Sequence, residues 1–355
     1  MSLITRLIIR WGAIGVSLIG LALVFSRILA PAYDFHGVYY PAIRDFMTGH
    51  FAYATSPGYL NPPWTLFLLG PLGWFSPDVA RGLLVAVTLW VTLAVMRDHH
   101  PLKISYLLVV ISMPMLAVMW LGQLEVFSLL GVLIGYRAVM RRQPGWLAGA
   151  LLLMLIKPQE TWIIMLFLLA GSVRRWTRVE WVKIFVPVIL VVVVTSVWLG
   201  LDWIPRMLGA SSKYAIEWQN FSIWQWRDNL PWGLVIAVWS VIALGTLWAL
   251  RRVGLTHLGL AMAAVGSNLL SPYLTTPHLL LSMCLSWGLL LERSWKWGAV
   301  AYLASLTPLL RMTTGDQALN QLDVIFPLLV WSGLGLSLFF EQRRLPGTTR
   351  LTKSL

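Results

Sequence analysis

Long apolar runs recur along almost the whole of this 355-residue chain, and they constrain its fold more than any other feature. A helix needs about 20 mostly apolar residues to cross the hydrocarbon core of a bilayer. The chain is 58% hydrophobic and 12% charged, whereas soluble domains carry about 25% charged residues. This composition excludes an ordinary soluble protein and a disordered chain. It predicts an all-α integral membrane protein with many spans.

The apolar runs predict a helical bundle of about 12 transmembrane helices, forming a single domain over residues 1–340. The candidate spans are approximately 11–30, 79–96, 104–121, 124–140, 146–157, 160–173, 182–201, 231–250, 257–270, 277–291, 296–310 and 322–340. The segments 146–157 and 160–173 are either two tilted spans or one broken hairpin. Residues 64–75 are too short to cross and contain Gly70, Pro71 and Gly73, so we expect an interfacial or re-entrant segment.

The distribution of charge predicts the orientation, because cytoplasmic loops are enriched in Lys and Arg. With 64–75 at the surface, most of the 27 basic residues fall on the side of Met1, and most of the 14 acidic residues fall on the other. We therefore expect a multi-pass cell-membrane protein with cytoplasmic N- and C-termini and a cytoplasmic basic tail, 341–355. The extracytoplasmic face then carries a first outer loop with interfacial helices, 31–78, and a second long loop, 202–230.

Two other features of the sequence exclude alternatives. The first apolar run is about 20 residues, longer than the core of about 7–15 residues in a cleaved signal peptide, so we interpret it as an uncleaved span. The net charge of +13 comes from short basic runs between apolar segments, not from a basic face on a soluble fold. Membrane lipids are therefore expected partners, and nucleic acid is not.

Asp34 is the first candidate for chemistry. It follows the first span in an aromatic setting that includes Tyr39 and Tyr40. A carboxylate held partly out of water there gains proton affinity, which suits a general base. The alternatives are a solvated loop acid and a helix N-cap.

Further polar clusters fall on the same predicted face. Gln123 and Glu125 lie between two spans, where they are either wet caps or functional groups. Lys157 lies between two apolar runs and either snorkels to the interface or neutralises a phosphate. His278 begins a span beside Tyr273 and suits hydrogen bonding to a phosphate or a sugar, although most single histidines are structural. Four outward-facing cations could also fix a lipid phosphate: Arg206, Lys213, Arg227 and Arg311.

Several short motifs, in order along residues 31–278, resemble the GT-C superfamily of membrane glycosyltransferases, and within it glycosyltransferase family 87, whose members use polyprenyl-phosphate mannose. The motifs are Asp34-Phe35, Tyr39-Tyr40-Pro41-Ala42, Asn61-Pro62-Pro63, Gly122-Gln123, Lys157-Pro158 and Ser271-Pro272 through His278. Asn61 stands where an aromatic residue is frequent in this family, and Glu125 where many relatives carry a neutral residue.

The resemblance implies an extracytoplasmic active site that transfers a sugar, with inversion, from a polyprenyl-phosphate donor to a lipid or glycan acceptor. Asp34 would be the general base, and His278 a second catalytic group. Lys157, His278 and Arg311 would bind the donor phosphate. The sugar or acceptor pocket would contain Tyr39, Tyr40, Asn61, Gln123, Glu125 and Tyr273. No metal or other cofactor is expected. The expected sugar is mannose, although the sequence alone does not distinguish it from arabinose or glucose on the same carrier.

Two other classes of protein stay open on the sequence. A transporter or flippase of lipid-linked sugars would place charges or broken helices at the bilayer midplane, often in two related halves. A non-catalytic relative would bind a lipid-linked sugar without transferring it. The polar clusters gather at one predicted face and the two halves of the chain do not resemble each other, which favours the enzyme.

Overall fold

The computed structural model describes residues 3–50, 58–99, 102–173, 175–201, 203–205, 222–314 and 322–344. All regular elements in these residues are helical, which confirms the all-α prediction. The α-helices are α1 Leu3–Ile28, α2 Tyr40–Met47, α3 Trp64–Leu69, α4 Pro77–His99, α5 Lys103–Val110, α6 Met113–Leu121, α7 Glu125–Met140, α8 Pro144–Met154, α9 Pro158–Ser172, α10 Arg178–Leu199, α11 Trp232–Val253, α12 His257–Leu270, α13 Leu279–Ser282, α14 Gly288–Arg293, α15 Trp295–Ala304, α16 Thr307–Thr314 and α17 Ile325–Arg344.

Four of the described helices are long and apolar enough to cross a membrane. They contain the segments Trp11–Ile28, Pro77–His99, Arg178–Leu199 and Trp232–Val253. A fifth candidate is the pair α5 and α6, which is bent by 44°. The expected count of about 12 spans is therefore not confirmed.

Local sequence explains why several apolar runs form shorter helices than their length suggests. Ser112 caps the N-terminus of α6, and Pro114 occupies its first turn, so the run 104–121 bends between α5 and α6. Lys157 precedes Pro158, and a residue before proline disfavours helical geometry. The run from 146 to 173 therefore divides into α8 and α9, of 11 and 15 residues.

The first outer loop contains helical segments of its own. A π-helical turn, Phe35–Tyr39, continues directly into α2. The segment predicted as non-spanning consists of α3 and a 3₁₀ turn, Gly70–Trp74. At about 1.5–2.0 Å per residue, these 11 residues do not reach across a bilayer.

The centre of the fold is α12, in which every residue from Gly259 to Leu270 is buried. Helices α9, α11 and α17 pack around it. By contrast, α1 and α10 expose large apolar side chains to the outside, such as Val16 and Val197. An extensive exposed apolar surface is typical of a face that contacts lipid.

Some predicted features fall wholly or partly outside the described residues. The second outer loop is described at residues 203–205 and from residue 222, where the 3₁₀ turn Ile223–Asp228 lies. Arg206 and Lys213 lie outside the described residues, as do 345–355 of the tail. Arg311 lies in α16, but its side chain is not among those described.

Candidate active site

Asp34 lies at the N-terminal end of the helical segment that begins the first outer loop. The next five residues form the π-helical turn Phe35–Tyr39, and π-turns occur frequently at functional sites. The Asp34 side chain is partly buried. The sequence alternative of a side-chain N-cap is not realised, because the carboxylate makes no capping hydrogen bond.

A tight turn after α6 brings Gln123 to Asp34. Gly122 ends α6 in the left-handed conformation, with φ of 68°, which glycine adopts without the steric cost that other residues pay. A Cβ atom on Gly122 would collide with Cβ of Phe35. Glycine therefore permits both the turn and the close approach of the two segments.

The Gln123 carboxamide connects Asp34 with Lys157. Its Oε1 atom accepts a hydrogen bond from the Tyr39 hydroxyl at 3.0 Å and another from Lys157 Nζ at 2.7 Å. Two donors on Oε1 fix the orientation of the amide, so its Nε2 group faces Asp34. Nε2 donates to Asp34 Oδ2.

Lys157 forms the buried ion pair of this site. Its ammonium donates to Oε1 of Glu125, and both side chains are at most 4% exposed. Lys157 precedes α9, and Glu125 occupies the first turn of α7, where the helix dipole favours a negative charge. The contacts with Gln123 and Glu125 use two of the three ammonium protons.

A second buried carboxylate, Glu160, lies close enough to Lys157 and Glu125 to interact with both charges. Its Oε1 atom accepts a hydrogen bond of 2.6 Å from Ser128. Within the described part of the chain, the Oε2 atoms of Glu125 and Glu160 are buried without a hydrogen-bond partner. The sequence prediction did not assign Glu160 a role, although an acidic residue within an apolar run is a signal for one.

His278 is held in one tautomer by the turn in which it lies. Its Nδ1 atom accepts from the backbone N–H of Thr275 at 2.9 Å, and the Thr275 hydroxyl lies 2.8 Å from the same atom. Because a backbone N–H can only donate, the proton of the neutral ring resides on Nε2. His278 Nε2 lies 3.0 Å from Nε2 of the Gln159 carboxamide, two residues after Lys157. Because two N–H groups cannot hydrogen-bond each other, the carboxamide accepts the His278 proton only with its oxygen turned toward the ring.

The predicted pocket residues divide into two groups. Tyr39 is buried, hydrogen-bonds the Asn61 side chain and lies near Tyr273. The Tyr273 ring contacts the His278 ring edge-on, with 5.8 Å between the ring centroids. Tyr40 instead donates to the carbonyl of Phe75 at 2.7 Å, so it ties α2 to the end of the 3₁₀ turn. Tyr39, Asn61 and Tyr273 therefore surround the site, whereas this contact of Tyr40 lies outside it.

The surroundings of Asp34 raise its affinity for a proton. Burial raises the pKa of the Asp34 carboxyl above its ordinary value of 3.8, and the charge of Glu125 adds to this rise. The Gln123 hydrogen bond and the Lys157 charge oppose it. Burial also raises the pKa of Tyr39 well above its usual range, so the phenol stays protonated and remains a donor.

The structure thus brings together most of the side chains predicted for the site. Hydrogen bonds lead from Asp34 through Gln123 to Lys157, and the charge of Lys157 acts on His278. Among the described residues, no group of three or more His, Cys, Asp or Glu side chains could hold a metal ion. The arrangement can accept a proton at Asp34 and offer N–H donors and positive charge beside it.

The fold and the site together define an all-helical protein with candidate membrane spans and a buried cluster of polar and charged side chains. The family model of glycosyltransferase family 87 matches residues 59–277, more than half of the chain, and the chain therefore belongs to that family. The family predicted from the motifs is confirmed, and with it the class of membrane glycosyltransferase. Asp34 lies 25 residues before the matched range, and His278 lies one residue after it. No curated protein and no solved structure matches the chain.

Proposed function

We propose that this chain transfers a sugar, with mannose as the expected one, from a polyprenyl-phosphate donor to a hydroxyl group of a lipid or glycan acceptor. Transfer takes place at the extracytoplasmic face and inverts the anomeric centre. One observation carries the proposal: Asp34 and Lys157 contact opposite ends of the same Gln123 carboxamide. A proton acceptor and a cation are thereby held a single side chain apart.

Asp34 acts as the general base. The acceptor hydroxyl gives its proton to the Asp34 carboxylate while its oxygen attacks C1 of the sugar. A carboxylate with a raised pKa accepts this proton more readily than an ordinary aspartate does, and positioned acid–base help contributes about 10²–10⁴-fold to a rate.

Lys157 and His278 stabilise the leaving group. As the bond between C1 and the phosphate oxygen breaks, the electron pair stays on the phosphate. The remaining ammonium proton of Lys157 donates to its oxygens, and the Nε2–H of His278 does so when it exchanges its contact with the Gln159 carboxamide for the phosphate. The charge on the phosphate is met by these groups, so no metal or other cofactor forms part of the proposal.

The proposed topology follows from the distribution of basic residues. Both termini lie in the cytoplasm of a multi-pass protein, and the base and the lipid-linked donor meet at the opposite face. A polyprenyl-phosphate donor suits that face, since it travels within the bilayer and reaches the site from the side. Membrane lipids surround the protein there.

The test is a transfer assay on the full chain in sealed proteoliposomes. Polyprenyl-phosphate mannose, arabinose and glucose are each offered with lipid and glycan acceptors, and the product's anomeric configuration is determined. We expect transfer of one sugar with inversion, abolished by Asp34→Asn. Donor movement across the bilayer without transfer would indicate a flippase, and donor binding without either would indicate a non-catalytic relative.

A further inference from the structure

Arg81 is a buried cation in the first turns of α4, within a candidate membrane span. Only 3% of its surface is exposed. Its guanidinium donates three hydrogen bonds, all to backbone carbonyls. Nη1 donates to Ala30, and Nη2 donates to Met119 at 2.8 Å and to Trp120 at 3.2 Å. A charge buried at such a position calls for a functional explanation.

The carbonyls that Arg81 contacts belong to the ends of two helices. Met119 and Trp120 lie in the last turn of α6, and Ala30 follows the end of α1. The last four carbonyls of a helix lack partners within it and carry partial negative charge. A planar guanidinium can serve several such carbonyls at once, which an ammonium on a flexible stem cannot do in the same geometry.

Both helix ends lead directly to the site. Asp34 follows Ala30 by four residues, and Gln123 follows Trp120 by three. The two segments then meet in the hydrogen bond between Gln123 and Asp34. Arg81 therefore links the two backbones just before the point where the base and its hydrogen-bond donor meet.

Close packing of α4 against α1 positions Arg81. A Cβ atom on the adjacent residue, Gly82, would collide with the backbone carbonyl of Ala22 in α1. The two helices are thus in backbone contact one residue away from Arg81. This contact fixes the height of the guanidinium relative to the end of α1.

We propose that Arg81 is a positioning residue for the proposed transfer reaction: it fixes the separation of the Asp34 and Gln123 segments, and so the geometry of the general base. Arg81 acts through these two backbones and does not touch the substrate. This inference rests on the proposed function, in which Asp34 accepts the proton.

The test uses Arg81→Lys, which keeps the charge but loses the forked geometry. Arg137→Lys is the matched control. Arg137 also makes forked hydrogen bonds, but it lies at the C-terminal end of α7, far from Glu125 and the site. We expect Arg81→Lys to lower kcat roughly ten- to a hundredfold, since small misplacements of reacting groups have effects of this size. KM for the donor stays within about twofold, because the substrate contacts are unchanged.

The pH profile separates positioning from a merely structural role. The hydrogen bond from Gln123 lowers the pKa of Asp34, and in Arg81→Lys this hydrogen bond is weaker. The pKa of Asp34 therefore rises, and the acid limb of the kcat profile moves to higher pH. Gln123→Leu moves it in the same direction, and the double variant shows no further shift. Arg137→Lys leaves the limb in place.

Two results overturn the inference. Equal kcat values and equal acid limbs in Arg81→Lys and Arg137→Lys would make Arg81 structural only. A raised donor KM with unchanged kcat would make it a substrate-binding residue.

If the wild-type chain transfers no sugar, the proposed function fails, and the inference is tested without turnover. The Asp34 carboxyl is then titrated by infrared difference spectroscopy against Asp34→Asn. An upward shift of the Asp34 titration in Arg81→Lys supports positioning, and an unchanged titration overturns it.

Discussion

Two charged clusters lie at opposite ends of α7, and they differ in burial and in how completely their charges are paired. At one end, Glu125 pairs with Lys157, and both are buried. At the other, Arg137 pairs with Asp98 through two hydrogen bonds of 2.6 and 2.8 Å, with side chains 42% and 27% exposed. Glu125 and Arg137 are about 18 Å apart along α7.

We interpret the buried Glu125–Lys157 cluster as part of the candidate active site and the Asp98–Arg137 pair as a structural ion pair. Both oxygens of the Asp98 carboxylate accept hydrogen bonds from the partly exposed Arg137 guanidinium. The Lys157 ammonium instead serves Gln123 and Glu125, near a second carboxylate with an oxygen that has no partner among the described residues. A buried, incompletely satisfied charge network has a structural cost, and such clusters concentrate at functional sites.

The largest contrast is expected between Asp34→Asn and Asp98→Asn. Because only Asp34 is the proposed proton acceptor, its replacement lowers the transfer rate about 10²–10⁴-fold, while Asp98→Asn leaves the rate within about twofold. Single-turnover transfer of radiolabelled sugar measures both. Equal rates for the two variants would remove the distinction between the clusters.

The next contrast concerns stability. Lys157→Met leaves the buried Glu125 without a cation and lowers the free energy of unfolding by about 3–5 kcal/mol. Arg137→Met leaves a partly exposed carboxylate, which costs less than about 1 kcal/mol. Unfolding in detergent micelles provides the measurement. Adding Glu125→Gln to Lys157→Met should restore stability but not transfer; restored transfer would contradict the role of Lys157.

The turn at Gly122 gives a smaller contrast with Gly254. Both residues have a positive φ, but their backbone conformations differ. Gly122, with φ of 68° and ψ of 46°, is in the left-handed helical region, where alanine costs about 1–2 kcal/mol. Gly254, with φ of 61° and ψ of −160°, is in a region adopted essentially only by glycine, where alanine costs about 1–3 kcal/mol. Only at Gly122 does the added Cβ meet Phe35, while at Gly254 it meets nothing within 4 Å. Gly122→Ala should therefore reduce transfer by about tenfold more than Gly254→Ala at equal amounts of folded protein. Equal activities would separate this turn from the site.

The smallest expected effect is a shift in pH dependence. Asp34 must be ionised to accept a proton, and its folded-state pKa is raised above 3.8. Transfer is therefore lost as the pH falls through that raised value. Gln123→Leu removes a hydrogen bond that lowers the pKa, so kcat/KM should fall at a higher pH than in the wild type. Gln159→Leu, which alters the contact with His278, should leave this limb in place, and an unchanged limb in both variants would exclude Asp34 as the titrating base.

Much of the site could be predicted from sequence because its residues interrupt apolar runs. Asp34, Gln123, Lys157 and His278 stand at such interruptions, and membrane burial makes a polar residue there informative. The all-helical class followed from the same runs. The number of long helices did not, since the bend at Ser112 depends on a cap that an average over an apolar window does not detect. The break at Lys157-Pro158, by contrast, already separated the predicted segments 146–157 and 160–173.

Arg81 and Glu160 show what the sequence analysis missed. Each lies within or beside an apolar run, which is a signal that could have singled them out. The hydrogen-bond partners of Arg81 and Glu160 could not have been predicted from the sequence. The carbonyls of Ala30 and Met119 carry no side-chain pattern, and Ser128 resembles any other serine in a helix. Only the packing of α4 and α7 against their neighbours brings these atoms together.

The most direct test of the central claim is a cryo-electron microscopy map of the Asp34→Asn protein with a polyprenyl-phosphate sugar. We predict density for the phosphate within hydrogen-bond distance of Lys157 Nζ or His278 Nε2, with C1 of the sugar facing residue 34. A phosphate bound at the Asp98–Arg137 end of α7, or a sugar remote from residue 34, would contradict the account.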